Sequence, residues 1–219
     1  MTRKPALTPR VRWIERFQLW MSEHIPYDGL TLSALDLHND THALLTRVKE
    51  GLTLLEHYDP RRCRRFRKDC NHIWITLLPA AVGSYSHGLR TILLDQRYIS
   101  SSATSSSDIA ATIVHELTHA RLFNCGIGYA EPDRGRVERV CYSQELAFAR
   151  LLPNSQALVT HLEGCVARPD SDWNDRTRRL KMLEDTPGAL RYLGTPSWLI
   201  RITVLAGAFV QRLRRRRAA

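Results

Sequence analysis

Two hydrophobic periods alternate along this chain. Residues 10 to 24 set Val11, Ile14, Phe17, Leu19, Trp20 and Met21 among Arg12, Glu15, Arg16 and Glu23. That three-and-four spacing predicts a helix ended by Pro26. A second helical pattern, from Leu35 to Tyr58, repeats Leu37, Leu44, Leu45, Val48, Leu52 and Leu55 and stops at Asp59-Pro60. The period then shortens. Residues 73 to 78 (Ile-Trp-Ile-Thr-Leu-Leu) and 89 to 94 (Leu-Arg-Thr-Ile-Leu-Leu) flank the turn formers Gly83, Ser84 and Gly88, which predicts two antiparallel strands. After a serine-rich connector, Ser100 to Ser107, the helical period returns with Ile109, Ile113, Val114 and Leu117. Ser107 or Asp108 is placed to cap this helix, and Gly126 to stop it beyond Asn124. Another helix is predicted from Arg136 to Leu152, ended by Pro153, with shorter ones over 155–165 and 172–185.

The pattern reads as α+β: mainly helical, with a small antiparallel or mixed sheet packed on the helix that begins near residue 107. Its 219 residues, 43% of them hydrophobic, suffice for one domain with its own core. Cys63, Cys70, Cys125, Cys141 and Cys165 are odd in number and contain no CxxC pair, so no disulfide framework is expected. The first ten residues lack the apolar run of a secretory signal, which points to a cytoplasmic protein.

Charge adds a second feature. Lys and Arg number 32 against 22 Asp and Glu, a formal net charge of +10. The excess favours anionic surfaces. It is concentrated in residues 61–68 (Arg-Arg-Cys-Arg-Arg-Phe-Arg-Lys) and in the arginines of 212–217. No aromatic ladder or nucleic-acid-binding motif accompanies either run, so specific nucleic-acid recognition is not expected. Residues 198–210 form the most hydrophobic stretch, but they are too short to span a bilayer and contain Arg201. Residues 198–219 are therefore expected to be peripheral, either a docked helix with a basic tail or an interfacial membrane segment.

The candidate chemistry lies at His115-Glu116-Leu117-Thr118-His119. Helical residues four apart are offset by roughly 40°, so the two imidazoles converge on one point a turn apart. Two imidazoles and a third ligand suit one zinc ion, which lowers the pKa of a bound water and polarises a carbonyl. Glu116, beside the first histidine, is positioned as general base.

On these residues the chain resembles the zincin metallopeptidases, over roughly residues 73 to 152. Their metzincin branch extends the motif with a glycine and a third histidine, where this chain has Leu122 and Cys125. Cys125 reads as a buried structural thiol. The gluzincin arrangement, with a later glutamate as third ligand, fits better: Glu138 lies 19 residues after His119 and Glu145 lies 26 after it. Glu138-Arg-Val-Cys141 resembles the pattern around gluzincin ligands, favouring Glu138. Glu145 remains an alternative third ligand, a carboxylate that supports a ligand from behind, or the ion-pair partner of Arg139 or Arg150. Tyr129, Tyr142 and His161 are candidate oxyanion stabilisers. The resemblance implies a zinc-dependent peptidase acting on a polypeptide, whose extended backbone would pair with the strand near 89–94 in a cleft lined by residues 85 to 91. Two other readings compete. One is a zinc-binding regulatory or interaction module without proteolysis, docking to membrane or nucleic acid. The other is a structural protein with an accidental motif.

Overall fold

The computed structural model describes residues 13–36 and 39–202. Helix α1 (Trp13–Met21) leads into a hairpin of β1 (Glu23–Tyr27) and β2 (Leu30–Ala34), followed by α2 (Thr41–Tyr58) and α3 (Pro60–Asp69). Strands β3 (His72–Thr76), β4 (Gly83–Ser86) and β5 (Thr91–Asp95) come next, then α4 (Gln96–Ser100) and α5 (Ser106–Asn124). The remainder is helical: α6 (Glu131–Ala149), α7 (Gln156–Val166), a 3-10 turn over Asp170–Trp173, and α8 (Asp175–Tyr192). The fold is α+β, mainly helical, with one mixed sheet.

The sheet runs β1-β2-β3-β5-β4. The expected antiparallel pair is corrected: β3 and β5 are parallel, with Ile73 beside Ile92 and Ile75 beside Leu94. Parallel neighbours need a crossover, and the crossover strand is β4, which lies antiparallel to β5 at the sheet edge. The helix expected from Leu35 starts only at Thr41, where Asp40 accepts from the His42 amide. The β1–β2 hairpin ends at Ala34, just before Leu35. Its two-residue turn, Asp28-Gly29, has φ of 46° and 78°, the doubly left-handed conformation in which strand twist matches the turn. Pro26 lies in β1, not at the end of α1. Val11 and Leu37 of the expected helices lie outside the described residues.

One sheet face supplies Leu32, Ile73, Ile75, Ile92 and Leu94 to the core, and α2 and α5 cover it with Leu45, Val48, Leu55, Ile109, Ile113 and Val114. Gly51 sets how closely the two helices approach. A Cβ there would come within 3.0 Å of the Ile109 side chain and 3.2 Å of the Ala110 amide nitrogen. Gly51→Val is therefore expected to destabilise the fold by about 1–3 kcal/mol through overpacking, read as a lower midpoint in urea denaturation.

The basic run of residues 61–68 lies in helix α3. Asp59 caps α3 through the Arg62 amide, and Cys63 and Phe66 are buried while Arg61, Arg64, Arg65 and Lys68 are exposed. At the other end, Ile200 is buried and Trp198 is exposed. The arginines of 212–217 lie outside the described residues, and no helix among those described is long and apolar enough to cross a membrane.

Candidate metal centre

Helix α5 begins a turn earlier than its apolar period suggests. Ser105, not Ser107 or Asp108, is the cap: its hydroxyl accepts from the Asp108 amide, and the Asp108 carboxylate accepts from the Ser105 amide at 2.8 Å. This reciprocal pair satisfies two otherwise unpaired amides. Gly126, at φ 81°, ends the helix as expected. Cys125 is its C-terminal cap residue and is exposed, which corrects its reading as a buried thiol. Helix α6 likewise begins at Glu131 rather than Arg136, because Pro132 fits the first turn and Glu131 and Asp133 complement the helix dipole.

The motif occupies the buried face of α5. His115, Glu116, Glu138 and Glu145 are each between 5% and 8% exposed, a concentration of ionisable groups that a core tolerates only when they are paired or bind an ion. The Nε2 atoms of His115 and His119 are 3.2 Å apart. Glu138 brings Oε2 to 3.3 Å from the first and Oε1 to 3.6 Å from the second. Donors 2.0–2.2 Å from a tetrahedral ion lie about 3.3–3.6 Å from each other, so these three side chains fit one zinc ion.

Cys141, one turn beyond Glu138, places its thiol within 4.8 Å of both imidazoles. Its helical spacing from Glu138 is legible in the sequence; its approach to the two imidazoles is not. Burial pushes its pKa far up and leaves it a neutral thiol, whereas the opposing effects on Glu138 end the other way. Burial works to raise the Glu138 pKa, but His115 and His119 hold it below the usual carboxylate value. Glu138 is thus the better-prepared ligand, since metals bind ionised groups.

Glu145 stands on the far side of His115, accepting from Nδ1 at 2.9 Å. It therefore cannot share the point on which the two Nε2 atoms converge. The ion-pair alternative is also corrected, as Arg139 pairs with Asp170 and Arg150 with Glu163. A carboxylate on the second nitrogen fixes the tautomer and aims the ring. Glu145→Ala is expected to lower zinc affinity about 10–100-fold, measured by competition with chelators of graded strength.

Electrostatics follow from this crowding. Burial disfavours a charge on His115, but its bonds to Glu138 and Glu145 outweigh burial and lift its pKa to about 10. Burial and the neighbouring His115 push His119 down to about 4. Burial drives Glu116 up to about 8; His115 opposes this and Glu138 and Glu145 reinforce it. The Tyr85 amide donates to the Glu116 carboxylate, and β4 passes so close that a Cβ on Gly83 would lie 2.9 Å from Glu116 Oε1. Gly83→Ala is expected to displace the Glu116 carboxylate with little change in metal content, which parallel metal and activity assays would resolve.

These residues open into a cleft of about 930 Å³. Residues 83, 84, 85 and 87 line it, so its strand is β4, and the expected lining by 89–91 is corrected. Tyr129 donates to Glu138 Oε1 and meets the His119 ring edge-on. Tyr142 packs edge-on against His115 at 4.6 Å, and its hydroxyl has no hydrogen bond among the described residues. His161 lines the cleft from α7, with Nε2 directed at the Cys165 sulfur at 3.6 Å. Of the three oxyanion candidates, only Tyr142 has a hydroxyl free to turn towards the cleft.

Sequence reasoning missed Arg134 and Trp173, and placed His87 only within the expected cleft lining. His87 stacks on Phe123 at 3.9 Å, with a buried Nδ1 that has no partner. Arg134 is buried beneath Tyr129, and Trp173 packs at a tilt against Tyr142. No spacing rule links these residues to the motif; tertiary contacts alone bring them to the cleft. No protein-family model, curated protein or solved structure matches the chain.

Proposed function

We propose that the protein is a zinc-dependent peptidase of gluzincin-like type. The observation that carries this reading is the convergence of two imidazole nitrogens and the Glu138 carboxylate at 3.2–3.6 Å separations, with a fourth ionisable group, Glu116, buried beside them. A structural zinc site has four protein ligands and no need of a base, whereas a catalytic one has three ligands and an open position. The zinc, when bound, supplies Lewis acidity and lowers the pKa of water.

His115, His119 and Glu138 would hold the ion. Glu116 would take the proton from the attacking water and later deliver it to the leaving amine, a transfer suited to a carboxyl whose pKa lies near neutrality. The Tyr85 amide keeps that carboxylate oriented. Tyr142 is placed to donate to the developing oxyanion. Edge strand β4 offers unpaired backbone groups on which an extended polypeptide can form a further strand. The protein is read as cytoplasmic, and exposed α3 is a candidate for anionic contact.

The test is metal content with peptide cleavage. Protein purified without chelator should carry one zinc per chain and cut members of a mixed peptide library, and chelation should stop it. Cobalt substitution separates the ligand sets: His-His-Glu gives no thiolate charge-transfer band, whereas ligation by Cys141 does. A chain that holds zinc firmly yet cuts no peptide would favour the non-proteolytic module.

A further inference from the structure

The metal floor is acidic, yet one wall of the same cleft is cationic. Arg134, Arg168, Arg178 and Lys181 line it, from α6, α8 and the segment after α7. Of the carboxylates on these elements, Asp175 pairs with Arg134, while others pair away from the wall: Asp170 with Arg139, Glu163 with Arg150, and Asp185 with Arg97. Arg168, Arg178 and Lys181 form no ion pair among the described residues. Asp172 also lines the cleft and is exposed, and Asp108 is held in the α5 cap.

The cations stand close to the motif. Tyr129, whose ring meets His119 at 5.3 Å, has the Arg178 guanidinium 5.9 Å from its centroid. Tyr142, which meets His115, packs on Trp173 at 5.6 Å, and the Lys181 ammonium lies 5.6 Å from the Trp173 ring. Arg178 and Lys181 are three apart on α8 and share a face. Arg134 contributes an independent sign of a missing partner. Its Nη1 is bound to the Trp173 carbonyl and to Asp175, while its buried Nε has no hydrogen bond. Nη2 also has none among the described residues, so the Nε–Nη2 edge presents the two parallel donors that match a carboxylate.

We propose that this wall receives a substrate carboxylate, so that the enzyme acts on acidic polypeptides bearing that group within about three residues of the bond cut. The proposal rests on the peptidase reading above. One aromatic ring separates Arg178 from His119, a span that two or three extended residues cross at about 3.3 Å each, and Lys181 lies one ring further out. The division of charge favours a polypeptide over nucleic acid. A peptide can bring a carboxylate to the wall and a neutral amide to the floor, whereas a phosphodiester chain, charged at every unit, would also face Glu116, Glu138 and Glu145. Unpaired cations at the mouth of a cleft raise the local concentration of an anionic partner.

The test uses full-length Glu116→Gln protein, purified with its metal, and labelled peptides differing only in Glu, Gln or Lys within three residues of a central amide. Each is made with a free and an amidated C-terminus. In fluorescence anisotropy the Glu peptides should bind at least tenfold more tightly than the Gln peptides, and the preference should shrink as salt is raised. The double reversal Arg178→Glu/Lys181→Glu should shift the preference to Lys peptides. Preference that survives amidation assigns the carboxylate to a side chain; preference lost on amidation assigns it to the C-terminus. Equal binding of all three peptides, no binding of any, an unaltered preference in the reversed variant, or displacement by an oligonucleotide at lower concentration than by peptide overturns the proposal. Charge-selective binding of peptides that wild-type protein never cuts would leave the carboxylate site standing and sink the peptidase reading. Cleavage without charge preference would do the reverse.

Discussion

Glu116→Gln is expected to retain zinc at the wild-type ratio and to lower turnover on peptides by about 10²–10⁴-fold, the usual contribution of a positioned acid–base group. Glutamine matches glutamate in shape, so the Tyr85 amide keeps an oxygen acceptor and the close approach of Gly83 is not disturbed. What is lost is the ability to take a proton. The imidazoles and Glu138 are untouched, which separates this variant from one that fails by losing its ion. The pH profile gives a second reading. In the metal-free cluster burial holds the Glu116 carboxyl at about 8, and a nearby dication favours the ionised form. Wild-type activity should therefore rise with pH along an acid limb lying below about 8, and residual activity of the Gln variant should lack that limb. Elemental analysis and peptide cleavage across pH check both. A fully active Gln variant would remove Glu116 from the mechanism.

How legible this was depended on the range over which each feature is decided. The HExxH pair and its glutamate were readable because helical geometry alone converges residues four apart. The later ligand helix was readable because Glu138, Cys141 and Glu145 recur at helical steps on one face. Starts were misread where side chains outside the apolar period decide them, as with Ser105 at α5 and Pro132 at α6. The hairpin of β1 and β2 has a local signal, Asp28-Gly29, but it is weak beside the helical period that follows. Strand β4 had almost none: Gly-Ser-Tyr-Ser is short and polar, and it becomes a strand only because β5 offers a partner. Parallel pairing of β3 with β5 and the delivery of Arg134, Trp173 and α8 to the cleft are non-local. Composition recorded the positive excess but not that Arg134, Arg168, Arg178 and Lys181 line the cleft.

Removing the metal should have the other large effect, on stability as well as on activity. Without an ion, His115, Glu116, His119, Glu138 and Glu145 crowd one largely buried pocket beside Cys141, and their preferences conflict. Folding holds Glu116 neutral up to about 8, above its unfolded value, so its favourable contribution is complete only below the unfolded pKa near 4.5 and is lost as pH rises through 8. His119 works in the opposite direction: its folded pKa is near 4 against 6.5 unfolded, so stability is lost as pH falls from 6.5 towards 4. The chelated protein is thus opposed on both sides of mid-range pH. Zinc changes these terms, since it binds neutral imidazole and ionised carboxylate and must displace the proton that Glu138 and Glu145 hold on His115. Its binding should therefore release protons and strengthen as pH rises towards 8. At a free zinc concentration about 100 times Kd the folded state gains about 2.7 kcal/mol, and at about 2–4 °C per kcal/mol for a chain of this size the unfolding midpoint should rise by roughly 5–10 °C. Glu138→Ala should abolish most of that shift, and Glu145→Ala should move it to higher zinc concentration. Differential scanning fluorimetry of chelated protein titrated with zinc at pH 6, 7 and 8 distinguishes the two. A shift that survives in Glu138→Ala, with a thiolate band on cobalt substitution, would move the third ligand to Cys141.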